Sequence, residues 1–214
     1  VASKKTYKGR ISYGNYFDNG METVLSATGY DSRGTERLYF REFDDPATSN
    51  GIAEKMDGDE FKSAFASLSY NDLTIQGGYV SREKTIPTAP WGVDFNNPIL
   101  KVVDDRGYLD IKYRHFFKDT ISLLGRIYYD YYLYEGAYPF SSVVNKDSAE
   151  GRWWGAEVQM NARIGTRHQV TAGGEYLSVL KSVQLNYDEM PYAMYLDDNR
   201  KLNNWAVYLQ DEFK

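Results

Sequence analysis

Apolar and polar residues alternate one by one along most of this 214-residue chain. Because successive side chains of a β-strand point to opposite faces, this alternation predicts strands with one apolar and one polar face. We predict nine strands, at about 5–16, 21–31, 60–70, 73–82, 106–116, 120–134, 152–164, 168–180 and 203–213. The sequence therefore predicts an all-β protein in a single domain, residues 1–214.

The connections between these strands alternate in length. The short ones are 17–20, 71–72, 117–119 and 165–167, and the long ones are about 32–59, 83–105, 135–151 and 181–202. Every proline falls in a long connection and none in a predicted strand: Pro46, Pro87, Pro90, Pro98, Pro139 and Pro191. Transmembrane β-barrels have short turns on one side of the membrane and long loops on the other. The pattern predicts an antiparallel up-and-down transmembrane β-barrel.

Charged residues are absent from the middle of the apolar rows of the predicted strands, whereas the opposite rows contain many of them. In 152–164, for example, Trp154 and Val158 share the apolar side, whereas Glu157 and Arg163 share the other. A charge facing lipid costs about 2–4 kcal/mol at the bilayer midplane, whereas a row facing a water-filled lumen can carry charges. A soluble sandwich or barrel would give the same alternation with its apolar rows inside. Strands of 10 to 15 residues, with aromatic residues near their ends, favour the membrane interpretation.

The composition agrees with a membrane barrel and argues against membrane helices and against nucleic-acid binding. The chain has 20 tyrosines, 10 phenylalanines and 4 tryptophans, which suit either aromatic belts at a bilayer surface or stacking platforms for sugars. No run approaches the roughly 18 apolar residues of a membrane helix. A net charge of −5 argues against nucleic acid as a partner.

Residues for catalysis or metal binding are scarce. There is no cysteine, and the two histidines, His115 and His168, both lie near short turns. No Ser-His-carboxylate pattern or zinc ligand set is visible, so we expect no enzyme activity, no catalytic residue, no metal site and no cofactor. The acidic stretch 57–60 does not have EF-hand spacing, and we expect a solvated loop there. The glycine pairs at 77–78 and 173–174 predict close packing or bending within strands.

Several stretches resemble barrel segments of TonB-dependent receptors. They are Phe43-Asp44-Asp45-Pro46-Ala47-Thr48, Ser81-Arg82-Glu83-Lys84-Thr85-Ile86-Pro87-Thr88, Gly151-Arg152-Trp153-Trp154-Gly155-Ala156-Glu157 and Trp205-Ala206-Val207-Tyr208-Leu209-Gln210-Asp211-Glu212-Phe213. The resemblance implies nine strands of a larger barrel of about 22 strands in the outer membrane of a Gram-negative bacterium. It also implies a plug domain, which we do not recognise in this chain, and an energy-transducing TonB complex. We therefore expect the chain to be a fragment of a larger receptor.

Such receptors take up a scarce small ligand, typically a metal chelate such as a ferric siderophore or haem, or cobalamin. Candidate ligand contacts are Trp91, Asp94 and Phe95 in the loop 83–105, together with Arg82 and Arg126 on the polar side of the strands. The alternatives are a soluble secreted β-domain that binds glycans through surface tyrosines, a plain porin, and a barrel enzyme such as a lipase. The last should carry a neighbouring Ser/His pair, which we do not find.

Overall fold

The structure, a computed structural model, describes residues 5–117 and 119–213. Its strands, in chain order, are β1 (Thr6–Tyr16), β2 (Glu22–Ser32), β3 (Arg37–Tyr39), β4 (Ile52–Glu54), β5 (Asp59–Tyr70), β6 (Leu73–Thr85), β7 (Lys101–Phe117), β8 (Ile121–Phe140), β9 (Val143–Ile164), β10 (His168–Asp188) and β11 (Ala193–Phe213). All except β3 and β4 form one antiparallel sheet of nine strands, in which neighbours in the chain are neighbours in the sheet. The predicted all-β class and the nine strands are confirmed.

The sheet is not closed into a barrel. Strands β1 and β11 form its two edges, and β3 and β4 make a separate two-stranded hairpin. Within the described residues, no helix has the length and apolar character needed to cross a membrane.

Two of the four predicted long loops are instead extensions of strands. The segment predicted as loop 135–151 contains the ends of β8 and β9, joined at 141–142, and the segment 181–202 contains the ends of β10 and β11, joined at 189–192. Backbone pairing continues there without regular hydrophobic alternation. Alternation marks a strand only where its two faces meet different surroundings, so it did not reveal these extensions.

One proline lies in a strand, contrary to the sequence prediction. Pro139 belongs to β8 and its side chain is fully buried. It lies beyond Ala137, the last residue of β8 that pairs with β7. One side of the strand therefore has no neighbouring ladder at this point, and a missing N–H donor is tolerated.

The two true long connections, 33–58 and 86–100, pack together beside the end of β8. The buried residues of this cluster are Ala53, Met56, Val93 and Leu100 from the connections and Tyr138 from β8, and its partly buried neighbours include Phe40 and Phe95. This small cluster is the hydrophobic core that the described residues form, and we call it the loop core. It makes both connections ordered parts of the fold.

The nine-stranded sheet has one apolar and one polar face. Strand pairing joins Leu109, Tyr129 and Trp154 across β7, β8 and β9, and joins Ile111, Ile127 and Ala156 in the next row. The face carrying these residues is the apolar face, and the face carrying Asp110, Arg126 and Glu157 is the polar face. Large apolar side chains remain exposed on the former, including Ile127 and Val158, each 57% exposed, and nothing among the described residues covers them.

Candidate functional site

A depression of about 580 Å³ lies over the centre of β6, β7 and β8. Its polar-face lining includes Arg106, Tyr108, Asp110, Arg126, Tyr128 and Asp130. These six residues occupy alternate positions on two neighbouring strands, so their side chains point to the same face. The volume is within the usual range for a small-molecule site.

Asp110 and Arg126 form the most buried ion pair of this depression. The Arg126 Nε donates a hydrogen bond of 2.7 Å to Asp110 Oδ2, and its Nη2 lies 2.6 Å from the same oxygen. Asp110 is only 3% exposed. A charge this buried needs its partner, because removing one member of a buried pair costs several kcal/mol.

The second oxygen of Asp110 has no hydrogen-bond partner. Oδ1 is buried, and the nearest cation, the Lys112 ammonium, lies 3.5 Å away without a hydrogen bond. A buried acceptor without a donor costs about 1–3 kcal/mol. The depression therefore contains an acceptor that a donor group would satisfy, and the flexible Lys112 side chain is the group that would have to move.

The remaining charges of the depression are also paired. Arg106 Nη2 lies 3.5 Å from Asp130 Oδ1, and Arg126 Nη1 lies 3.9 Å from Glu157 Oε2. The Arg126 guanidinium also stacks over the Tyr128 ring, at 4.7 Å from its centroid. Among the six lining residues, two guanidinium groups face two carboxylates, so the lining has no net charge.

Three tyrosines of the polar face extend over glycines of neighbouring strands. Tyr108 pairs with Gly78, and Tyr208 pairs with Gly173. A Cβ on Gly78 would lie 2.9 Å from the Tyr108 ring, and the same conflict occurs where Tyr128 covers Gly155 and where Tyr208 covers Gly173. Each ring therefore occupies space above a glycine that a Cβ would need, and it leans across the neighbouring strand instead of standing away from the sheet.

The candidate contacts in the loop 83–105 have structural partners. Phe95 stacks on Phe43, with ring centroids 4.4 Å apart. The Asp94 backbone N–H donates to the Pro139 carbonyl at 2.8 Å, and its carboxylate accepts from the Ser141 N–H at 2.9 Å. Trp91, in contrast, is 78% exposed and touches Tyr138 only by a ring edge. Of these three residues, Trp91 alone presents most of its side chain to the surroundings.

The structure does not bring Arg82 and Arg126 together. Both lie on the polar face, but in different rows of the sheet. Arg82 of β6 is opposite Asp104 of β7 in the strand register. Arg126 of β8 is opposite Lys112 of β7, which is in turn opposite Thr74 of β6. Eight residues of β6 separate Arg82 from Thr74, which is about 26 Å along the strand. Arg82 instead holds Asp59 by two hydrogen bonds, Nε to Oδ1 at 2.9 Å and Nη2 to Oδ2 at 2.6 Å.

The acidic stretch 57–60 is held by cations of this chain. Asp57 Oδ1 accepts from the Lys84 ammonium at 2.8 Å, and Oδ2 accepts from the Thr35 N–H at 2.9 Å. Partial burial raises the pKa of Asp57, but the bonds to Lys84 and Thr35 outweigh it and leave the pKa below its usual value. No group of three or more His, Cys, Asp or Glu side chains within 5–117 and 119–213 is arranged to hold a metal.

The histidines form two similar pairs at the short-turn end of the sheet. His115 Nδ1 lies 2.6 Å from Asp72 Oδ2, and His168 Nδ1 lies 2.6 Å from Asp211 Oδ2. Neither pair has a serine as a hydrogen-bond partner among the described residues. Each contact joins the ends of two chain segments by a side-chain hydrogen bond.

Arg126 was predicted from the sequence as a ligand contact, but Tyr108, Asp110 and Tyr128 were not predicted to form a group with it. The glycines at 78 and 173 were a signal for this arrangement, because a mid-strand glycine leaves room for a ring from the next strand. Which ring fills the space depends on register, which one sequence does not give.

The observed class is thus an open, all-β antiparallel meander with one apolar face and one charged face. Comparison of the chain with models of known protein families and with curated proteins found no match.

Proposed function

We propose that this chain forms part of the wall of a TonB-dependent receptor in the outer membrane of a Gram-negative bacterium, with its apolar face towards lipid and its polar face towards the lumen. The observation that carries the proposal is an uncharged apolar band that crosses the apolar face on all nine strands, with charged residues such as Lys62 and Arg152 only beyond its ends. On β9, for example, Trp154, Ala156, Val158, Met160 and Ala162 follow one another on this face. An exposed apolar surface of this extent is typical of a membrane or protein interface.

The height of the uncharged region suits a bilayer. On β11 the apolar face has Lys201 at one end and Asp211 at the other, with Trp205, Val207 and Leu209 between them. Ten residues span about 33 Å along a strand, or about 25 Å across the membrane at the usual strand tilt. That height matches the apolar band of outer-membrane barrels, which is about 25 Å.

The register supports tilted strands. The row of paired residues that includes Tyr13 and Leu25 at one edge of the sheet ends at Ser178 and Asn203 at the other. On β11 the uncharged run of the apolar face begins beyond Lys201 and its first apolar residue is Trp205, so the apolar region shifts relative to the rows. Strands that tilt relative to a barrel axis produce this shift.

The open edges favour a larger barrel. Nine antiparallel strands leave β1 and β11 running in the same direction, so pairing them with each other would not continue the antiparallel pattern. Unpaired edges of this length also promote aggregation. Further strands of the receptor would pair with both edges, and a plug domain would occupy the lumen beside the charged polar face. We expect a small ligand to be taken up through this lumen with energy from the TonB complex.

Spin labels on adjacent residues test the proposal. Because the chain has no cysteine, single labels at Val158→Cys and Gln159→Cys report the two faces separately. We expect the label at 158 to collide mainly with oxygen, which concentrates in lipid, and the label at 159 mainly with a water-soluble nickel complex. Water access at both positions, or a label at 158 shielded from both reagents by protein, would contradict the proposal. The first result would favour the soluble glycan-binding alternative.

A further inference from the structure

We infer that the depression around Asp110 binds a neutral carbohydrate, so that the ligand of the proposed receptor is a polyhydroxylated sugar. This inference rests on the proposed function, because it requires the polar face to line the path of the ligand. It deepens that function by naming the substrate class.

Tyr108 gives the depression an aromatic surface. The Tyr108 ring leans over Gly78 and remains 36% exposed. Pyranose rings carry C–H bonds on their faces, and these bonds pack on the electron-rich face of an aromatic ring. A ring that stood upright would present only its edge, so the glycine beneath Tyr108 is part of the platform.

The positive and negative charges that line the depression are balanced. The guanidinium groups of Arg106 and Arg126 are matched by the carboxylates of Asp130 and Asp110. An anionic ligand would have to compete with these carboxylates for the same cations, and a cationic ligand would face the reverse problem. A neutral ligand leaves both pairs intact.

The depression contains both hydrogen-bond donors and hydrogen-bond acceptors. Sugar hydroxyls both donate and accept, and the depression offers both kinds of partner close together: guanidinium and amide N–H groups from Arg106, Arg126 and Gln76, and carboxylate oxygens from Asp110 and Asp130. The unpartnered Oδ1 of Asp110 is buried beside the Lys112 ammonium, so a sugar hydroxyl would reach it once the flexible Lys112 side chain moves aside. Hydrogen bonds to charged groups are stronger than those between neutral groups.

A glycan array with the full-length receptor in detergent tests the inference. The array carries neutral and acidic glycans, and ferric citrate is titrated separately as an anionic chelate. We expect retention of neutral glycans and weaker retention of their acidic counterparts. Retention of acidic glycans only, of no glycan, or binding of ferric citrate alone would overturn the inference, while the spin-label result would still decide the proposed function.

Two tyrosine variants provide a matched comparison. In Tyr108→Leu the glycine stays covered but the aromatic face is lost, and we expect affinity for the retained glycan to fall about tenfold. Tyr208→Leu makes the same change over Gly173, outside the depression, and should retain wild-type affinity. Equal losses in the two variants would show that the tyrosines act through folding, and the inference would fail.

Discussion

The ring of Tyr128 lies across the backbone of Gly155, its partner on the neighbouring strand, in the space that a Cβ at residue 155 would need. The arrangement recurs at Tyr108 with Gly78 and at Tyr208 with Gly173. All three tyrosines belong to the polar face. Glycine therefore contributes here by the room it leaves for an aromatic ring, and this has a measurable consequence.

Gly155→Ala should destabilise the protein by about 1–3 kcal/mol, because the added methyl group and the Tyr128 ring cannot occupy the same space. Gly125→Ala is the control, since nothing lies within 4 Å of the Cβ that it would add. We expect it to change the free energy of unfolding by less than about 0.5 kcal/mol. Urea unfolding in detergent micelles measures both, and equal effects would contradict the packing argument.

Val158→Lys should cost about 2–4 kcal/mol when the protein is folded in lipid vesicles, because the ammonium would face hydrocarbon. Gln159→Lys adds the same charge one residue later, on the polar face, and should cost less than about 1 kcal/mol. The measurement is the free energy of unfolding in vesicles. If the two variants were equally stable, the assignment of the faces to lipid and lumen would be wrong.

Leu100→Ala should destabilise the loop core by about 2–5 kcal/mol, because Leu100 is 1% exposed and its truncation leaves a cavity. The effect should be local, since the loop core lies beside the end of the sheet. Hydrogen exchange should therefore accelerate in 33–58 and 86–100 and stay unchanged in β9 and β10. Ile99→Ala, at the exposed neighbouring residue, should leave exchange in both loops close to that of the wild type.

Acid should release the connection 33–58 from β6. Because the pKa of Asp57 is lowered in the folded state, its contribution to stability is present above the unfolded pKa and is lost as the pH falls through the folded pKa. Exchange protection of the Thr35 N–H, which donates to Asp57, should stay constant from pH 7 to about 5 and fall below about pH 4. Asp57→Asn should reduce protection at neutral pH and remove this acid-dependent step; an unchanged step would assign it to another group.

The sequence by itself determined the number of strands in the main sheet and the division of their side chains between two faces. Both follow from the period of two that the backbone imposes, which is visible wherever one face is apolar and the other charged, as at Val158 and Gln159. The interpretation of the apolar face as a lipid surface stays a prediction.

Only the tertiary structure decided which residues meet across strands. The pairing of Asp110 with Arg126 and the seating of Tyr128 on Gly155 depend on register, and hydrogen bonding between strands sets register over distances that one sequence does not reveal. The extended ends of β8 to β11 were missed for a related reason: ladder bonds lengthen strands without a hydrophobic pattern. Likewise, Phe95 was predicted as a ligand contact because its packing on Phe43, 52 residues away in the chain, exists only once the loops have folded together.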